Sequence, residues 1–464
     1  MKRTLGIAGL LVLLATAVYG LVELAAWRYY YPGAPVADYP QPADRVQARQ
    51  QDIDYFRHYL ELDKSYTGVT RAAAEALLAD LESRLEDLSD AAFQLGIARA
   101  VAVADNGHTN IWLGRFSRQH GRLPLRFFWF ADGIHVVRAR EAYADLLGAE
   151  LLSIGGVPVL EAAVGLKDFV GGPWDAFRAY RGPILLELPA AHHAAGLSDS
   201  EAATTLTLRL LDGSLVVRRL SAEALADEAP LFWPDSYLLE APPELEAEPW
   251  VGLASRIGEL PLYLREPARE FRMSELPAGG LYLQYRANVG EGIGDFGKAV
   301  RRRLQEQSPS FLVLDQRFNG GGDYTLTADL MFDLPELVGE DVPIYIITGP
   351  STFSAGMNSV AFLKAAGGDR VRILGERVGD RERFHGETND FELPNSRLGM
   401  TFNTGLHDLA RGCPPFPECY FRNYFRDVAV GTLAPDVVIE TNFADYMIGR
   451  DPVLEVILSL DSEP

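Results

Sequence analysis

The apolar positions of this chain follow two rhythms. Leu77, Leu81, Leu85 and Leu88 recur at steps of four, four and three, and beyond Ser89 the residues Phe93, Ile97 and Val101 continue at four. Such steps put side chains on one face of an α-helix, so the pattern predicts an antiparallel helical pair with Ser89 capping its second member. Further on the rhythm shortens to two. TLTLRLLDGSLVVRRL, which ends at Leu220, alternates on either side of Asp212-Gly213 and predicts a β-hairpin. Leu146 to Ala162, LLGAELLSIGGVPVLEA, reads as strand, glycine turn, strand and the start of a helix. Leu281, Leu283 and Tyr285 alternate as a strand, and Phe296, Val300 and Leu304 form the helix after it.

Two further runs, Phe311 to Leu314 and Ile344 to Ile347, are continuously apolar and stop abruptly. Short runs of that kind are buried strands of an α/β layer, and the alternation with helices implies right-handed crossovers and parallel pairing. The first run ends in DQRFNGGGD, where Gly320, Gly321 and Gly322 allow backbone N–H groups to turn toward a ligand. The second ends in GPSTFSAGM, so Ser354 sits at a strand-to-helix junction before the small residues Ala355 and Gly356. A serine at a helix N-terminus beside a loop of free N–H donors has the parts of an acyl-transfer site. The C-terminal strand over Asp436–Thr441 and the helix over Asp451–Leu460 close the core.

Composition bounds the rest. At 464 residues and 48% hydrophobic content the chain can build two or three domains. A formal net charge of -21 argues against nucleic acid as a general partner and against docking on anionic lipid by a basic face. Lys2 and Arg3 precede an apolar run from Leu5 to Val22, followed by Trp27, Arg28, Tyr29, Tyr30 and Tyr31. This suits a cleaved secretory signal, with Ala15 and Ala17 as a small-x-small site, or an uncleaved anchor with an interfacial aromatic belt. The belt favours the anchor over residues 5–27; either way the body of the protein is exported to the cell envelope. Cys413 and Cys419, the only cysteines, lie in CPPFPEC. A disulfide staple suits an oxidising compartment; two free thiols or half of a metal site are the alternatives, and with no other cysteine present and His407 the nearest histidine, metal is disfavoured.

The pair DQRFNGGG and STFSAGM resembles the signature of the tail-specific or C-terminal processing serine peptidases, whose relatives include the tricorn core protease and the interphotoreceptor retinoid-binding protein. The matching positions are Asp315, Arg317, Asn319, Gly321 and Gly322, then Thr352, Ser354 and Ala355. DNGHT at Asp105–Thr109 and GRDPVLE at Gly449–Glu455 extend the resemblance over most of the chain beyond residue 40. It implies a ClpP/crotonase-like ββα-spiral core and a PDZ-like domain, behind an N-terminal helical region. The expected division is 1–33 signal or anchor, 34–105 linker and helical region, 106–222 His-bearing turn and PDZ-like domain, 223–279 connection, and 280–464 catalytic α/β core.

The resemblance further implies Ser354 as nucleophile, with the N–H of Ala355 and of Gly321 or Gly322 as oxyanion hole. The tail-specific branch uses a lysine base about twenty-five residues after the serine, but here that region reads GERVGDRERF, and arginine does not give up its proton. Lys364 would lie along the helix and face elsewhere. The tricorn-like alternative makes His108 the general base, with Asp105, Glu376 or Glu387 as the acidic third member. Of the other histidines, His135 in GIHVV reads as core, His192 and His193 sit in an Ala-rich loop, and His385 and His407 could line the cleft. Asp315 and Arg317 read as a structural ion pair. The expectation is an envelope serine endopeptidase acting on peptides or protein tails, with no metal or cofactor. The alternatives are a non-catalytic ligand- or peptide-binding protein on the same scaffold and a PDZ-bearing scaffold protein. Bland roles for the motifs are Ser354 as a plain N-cap and the glycine run as a mere tight turn.

Overall fold

A computed structural model describes residues 14, 16, 17, 20–225, 234–239 and 250–460. Most of the apolar run expected to anchor the chain, and all of the acidic stretch Ala241–Pro249, lie outside these residues. Among the described residues no helix is long and apolar enough to cross a membrane.

The architecture is mixed α/β with several sheets. The first is antiparallel and built from β1 (Leu125–Phe130), β2 (Gly133–Arg140), β3 (Glu150–Ile154), β4 (Val157–Pro158), β5 (Ala203–Arg209), β6 (Leu215–Ser221) and β7 (Trp250–Gly252). The Asp212-Gly213 hairpin is the β5–β6 turn, with Gly213 at φ 85°. The second sheet holds β8 (Phe271–Glu275), β9 (Leu281–Tyr285), β10 (Leu312–Asp315), β11 (Ile344–Thr348) and β12 (Val371–Gly375). A third unit is the long hairpin β13 (Arg383–Glu392) and β14 (Gly399–Asp408), and β15 (Val437–Val438) joins the second sheet beside β12. Strands β9 to β12 and β15 pair in parallel, with β8 antiparallel at one edge.

The two apolar runs are buried on both faces, which is why they show no alternation of polarity. Leu312, Leu314, Ile344 and Ile346 face a core shared with the helices Ile293–Glu306, Ala328–Val338 and Ala355–Gly367. Val313, Tyr345 and Ile347 face the opposite way, against Val453, Leu454 and Ile457 of the C-terminal helix Pro452–Leu460. The predicted helical pair is Gly68–Glu82 and Asp90–Ala102, and the Ser89 hydroxyl accepts from the Ala92 N–H at 3.0 Å. Leu85 and Leu88 lie in the connection rather than in the first helix. After the DNGHT turn, Ile111 makes one isolated bridge to Met400, and a helix starts at Leu113. The N-terminal helices and the antiparallel sheet share one continuous core.

The hairpin β13–β14 lies against the N-terminal helices. Tyr59 donates to the Thr401 carbonyl at 2.8 Å, and the Lys64 N–H to that of Asn403 at 2.8 Å. Cys413 and Cys419 are joined in a disulfide.

Candidate active site

Adjacent parallel strands deliver their C-terminal loops to the same edge of a sheet. The glycine loop follows β10 and the Ser354 turn follows β11, so the two motifs meet, and backbone hydrogen bonds stitch them together. The Phe353 N–H donates to the Asn319 carbonyl at 2.9 Å, and the Thr352 hydroxyl to the Gln316 carbonyl at 2.8 Å. Beneath the loop, the Asn319 amide donates to Asn288 Oδ1 and to Gln316 Oε1, both at 2.6 Å. Asn288 in turn donates to Thr327 and Ser359. This buried polar network fixes a loop that glycine would otherwise leave floppy.

Ser354 is held at φ 52°, ψ −124°, a conformation costly for a residue with a Cβ, and its side chain makes no capping hydrogen bond to the helix it precedes. The plain N-cap role is therefore not what the hydroxyl does. Gly321 packs directly on it. A Cβ at Gly321 would stand 2.7 Å from Ser354 Cβ, 3.2 Å from its Oγ and 3.3 Å from the Ala355 nitrogen, and φ is +116°. Only glycine leaves that space open for a substrate atom. The Gly321 N–H, however, donates to Asn319 Oδ1 at 3.1 Å and is not free for an oxyanion. The N–H groups of Ala355 and Gly322 have no acceptor among the described residues.

His108 is placed by its neighbours in the DNGHT turn. The Asn106 side chain donates to the His385 carbonyl at 2.9 Å and accepts the His385 N–H at 3.0 Å, locking the turn to β13. Thr401 donates to the His108 carbonyl at 2.6 Å, and Thr109 to buried Asp63 at 2.8 Å. The imidazole is sandwiched between Phe353, the residue before Ser354, at 4.3 Å and Phe384 at 5.0 Å between ring centroids. Its Nδ1 faces Asp380 Oδ2 at 3.4 Å, with the carboxylate side chain only 1% exposed. Neither ring nitrogen completes a hydrogen bond of good geometry among the described residues. Burial pushes the His108 pKa below its ordinary value; Asp380 opposes that, while the charges of His407 and Arg181 add to it.

The sequence reading missed Asp380 and proposed three other acids, which the structure places elsewhere. Asp105 pairs with exposed Arg381 at 2.8 Å. Glu376 faces Arg178 at 3.5 Å, and burial raises its pKa. Glu387 accepts from His407 at 3.2 Å and from the Tyr31 hydroxyl. Asp380 stands inside GERVGDRERF, where no signal in the sequence singles it out; in the fold it packs so closely on Gly107 of DNGHT that a Cβ there would lie 2.3 Å from its Oδ2. Lys364 donates to the Thr432 carbonyl at 2.8 Å, out on the helix surface. Asp315 and Arg317 form the expected ion pair at 2.9 Å, and Arg317 continues to Asp451 with two bonds of 3.1 and 2.9 Å. Among the described residues no cluster of His, Cys, Asp or Glu is arranged to hold a metal ion.

No family model matches this chain, and no curated protein matches it. Solved structures do. Mature CPAF complexed with lactacystin is similar at 13% identity and TM-score 0.53, over 90% of this chain and 98% of that one. A CPAF mutant is similar at 12% identity and TM-score 0.56, again over 90% and 98%. The photosystem II D1 C-terminal processing protease matches at 12% identity over 89% and 99%, but with a TM-score of 0.37 that superposition is too loose to argue from. The chain therefore has the mixed α/β fold of CPAF.

Proposed function

We propose that this chain is a serine peptidase in which Ser354 is the nucleophile, His108 the general base and Asp380 the residue that orients the imidazole. The observation that carries the reading is the strained, uncapped Ser354 packed on Gly321, with the His108–Asp380 pair seated against its neighbour Phe353. Ser354 Oγ attacks the peptide carbonyl while its proton passes to the imidazole. The carbonyl oxygen, now carrying the charge, turns toward the Ala355 and Gly322 N–H groups at the start of the helix. Collapse breaks the C–N bond, the imidazolium returns the proton to the leaving amine, and water releases the acyl group by the same steps. Asp380 favours the imidazolium that forms, and burial keeps the resting imidazole neutral and able to accept a proton.

In this reading the parallel sheet and its helices form a ClpP/crotonase-like core, the antiparallel sheet a PDZ-like domain, and residues 5–27 tether the enzyme in the cell envelope. Substrates would be peptides or protein tails. The test is a fluorophosphonate incubated with the full chain, followed by peptide mapping. A covalent adduct on Ser354, lost in Ser354→Ala, is expected. A second reading, a ligand-binding protein on the same scaffold, is favoured by the hydrogen bonds His108 leaves unmade. Absence of any adduct would decide for it.

A further inference from the structure

A cavity of about 360 Å³ opens beside Gly322. Its walls carry the rings of Trp27, Tyr31, Tyr324 and Tyr420, and its charges are Glu23, Asp323, Glu387 and Arg422. Arg422 is matched by Glu23 at 3.8 Å, which leaves two carboxylates among aromatic faces.

Glu387 is the built part of this cavity. The Tyr324 hydroxyl donates to Asn423 Oδ1 at 2.6 Å, and the Asn423 amide donates to His407 Nδ1 at 3.1 Å. That leaves the proton of the neutral ring on Nε2, which donates to Glu387 Oε1 at 3.2 Å, while Tyr31 donates to Oε2. Two donors do not exhaust the lone pairs of a carboxylate. Its backbone is also held at φ 58°, in a strained region that surrounding contacts must maintain. The Glu387 side chain remains 13% exposed. An oriented carboxylate among aromatic faces is the chemistry that recognises an organic cation.

We propose that this cavity takes the basic side chain, Lys or Arg, of a peptide substrate held across the glycine loop, with Glu387 as its counter-ion. Trp27 lies in the helix through residues 20–30 and Tyr31 directly follows it, so the N-terminal segment completes the pocket. The inference rests on the peptidase reading above.

The test is a peptide library in which Arg, Lys, Gln or norleucine occupies each position around the cleaved bond, scored by kcat/KM with the full chain. At one position Arg or Lys should exceed norleucine by about tenfold. Glu387→Gln should collapse that ratio, and Trp27→Ala, at a 57% exposed side chain where folding is not at stake, should reduce it through KM. Fluorophosphonate labelling in the same sample separates the failures. Labelling with no basic preference, or with norleucine preferred, overturns this inference alone. A preference that survives both substitutions overturns it too. No labelling overturns the peptidase reading beneath it.

Discussion

At the residue scale the proposed chemistry rests on the side chains of Ser354, His108 and Asp380 and on the one that Gly321 lacks. Ser354→Ala should abolish turnover and labelling while leaving the thermal midpoint in place, because the hydroxyl makes no structural hydrogen bond. Asp380→Asn should lower kcat by at least about a hundredfold, since the imidazole loses the partner that sets its tautomer. His108 must be neutral to act, and its burial lowers its pKa. The acid limb of kcat/KM should therefore fall below the ordinary histidine value of about 6.5, with activity retained at mildly acid pH and lost only as His108 takes up a proton. A limb at or above that value would remove His108 from the role. Ser354, His108 and Gly321 were legible in the sequence because each sits in a short motif whose spacing is local. Asp380 was not, because nothing within its own segment distinguishes it from Asp390 or Glu382; it matters only for what the fold places opposite it.

At the scale of elements, Arg317 ties the end of β10 to the C-terminal helix through Asp315 and Asp451. Asp451→Ala leaves a buried guanidinium half-paired and should cost about 3–5 kcal/mol, read from denaturant unfolding. This link gives the GRDPVLE stretch a structural task that hydropathy did not assign to it. Gly321→Ala should cost activity before stability, since the added methyl would occupy the space between Ser354 and the Ala355 N–H; kcat measured beside the thermal midpoint would distinguish the two. The strands at 281–285, 312–315 and 344–348 were readable because burial on both faces leaves an unbroken apolar run. The hairpin β13–β14 was not, for the opposite reason. Asn389, Asn403, Thr404 and His407 are buried there as polar residues, the first three satisfied by hydrogen bonds to distant parts of the chain and His407 by Glu387 on the paired strand. A strand held that way carries no hydrophobic period to detect.

Across the whole molecule, the N-terminal helix and the disulfide loop are one assembly. Tyr30 is 1% exposed, its hydroxyl donates to the Cys419 carbonyl at 2.6 Å, and its own carbonyl accepts from Asn389 at 3.1 Å. Closing so short a loop should stabilise by about 2 kcal/mol. Reduction should loosen the loop around Cys413 and Cys419 and, through Tyr30, the helix ahead of it. Hydrogen exchange should show protection lost in those two segments and kept in the parallel sheet; loss confined to the loop would mean Tyr30 is held by packing alone.

The sequence by itself determined the α/β class of the core, its strands at 281–285, 312–315 and 344–348, the hairpin at Asp212-Gly213, and the two loops that carry Ser354 and the glycines. These follow from periodicity and turn chemistry, which act over a few residues. Only the tertiary structure decided which acid faces His108, which N–H groups stay free, and that Glu387 lines the cavity beside Gly322. Those are matters of direction and distance between segments far apart in the chain, set by which strands pair and which loops share an edge, and no local pattern of side chains encodes them.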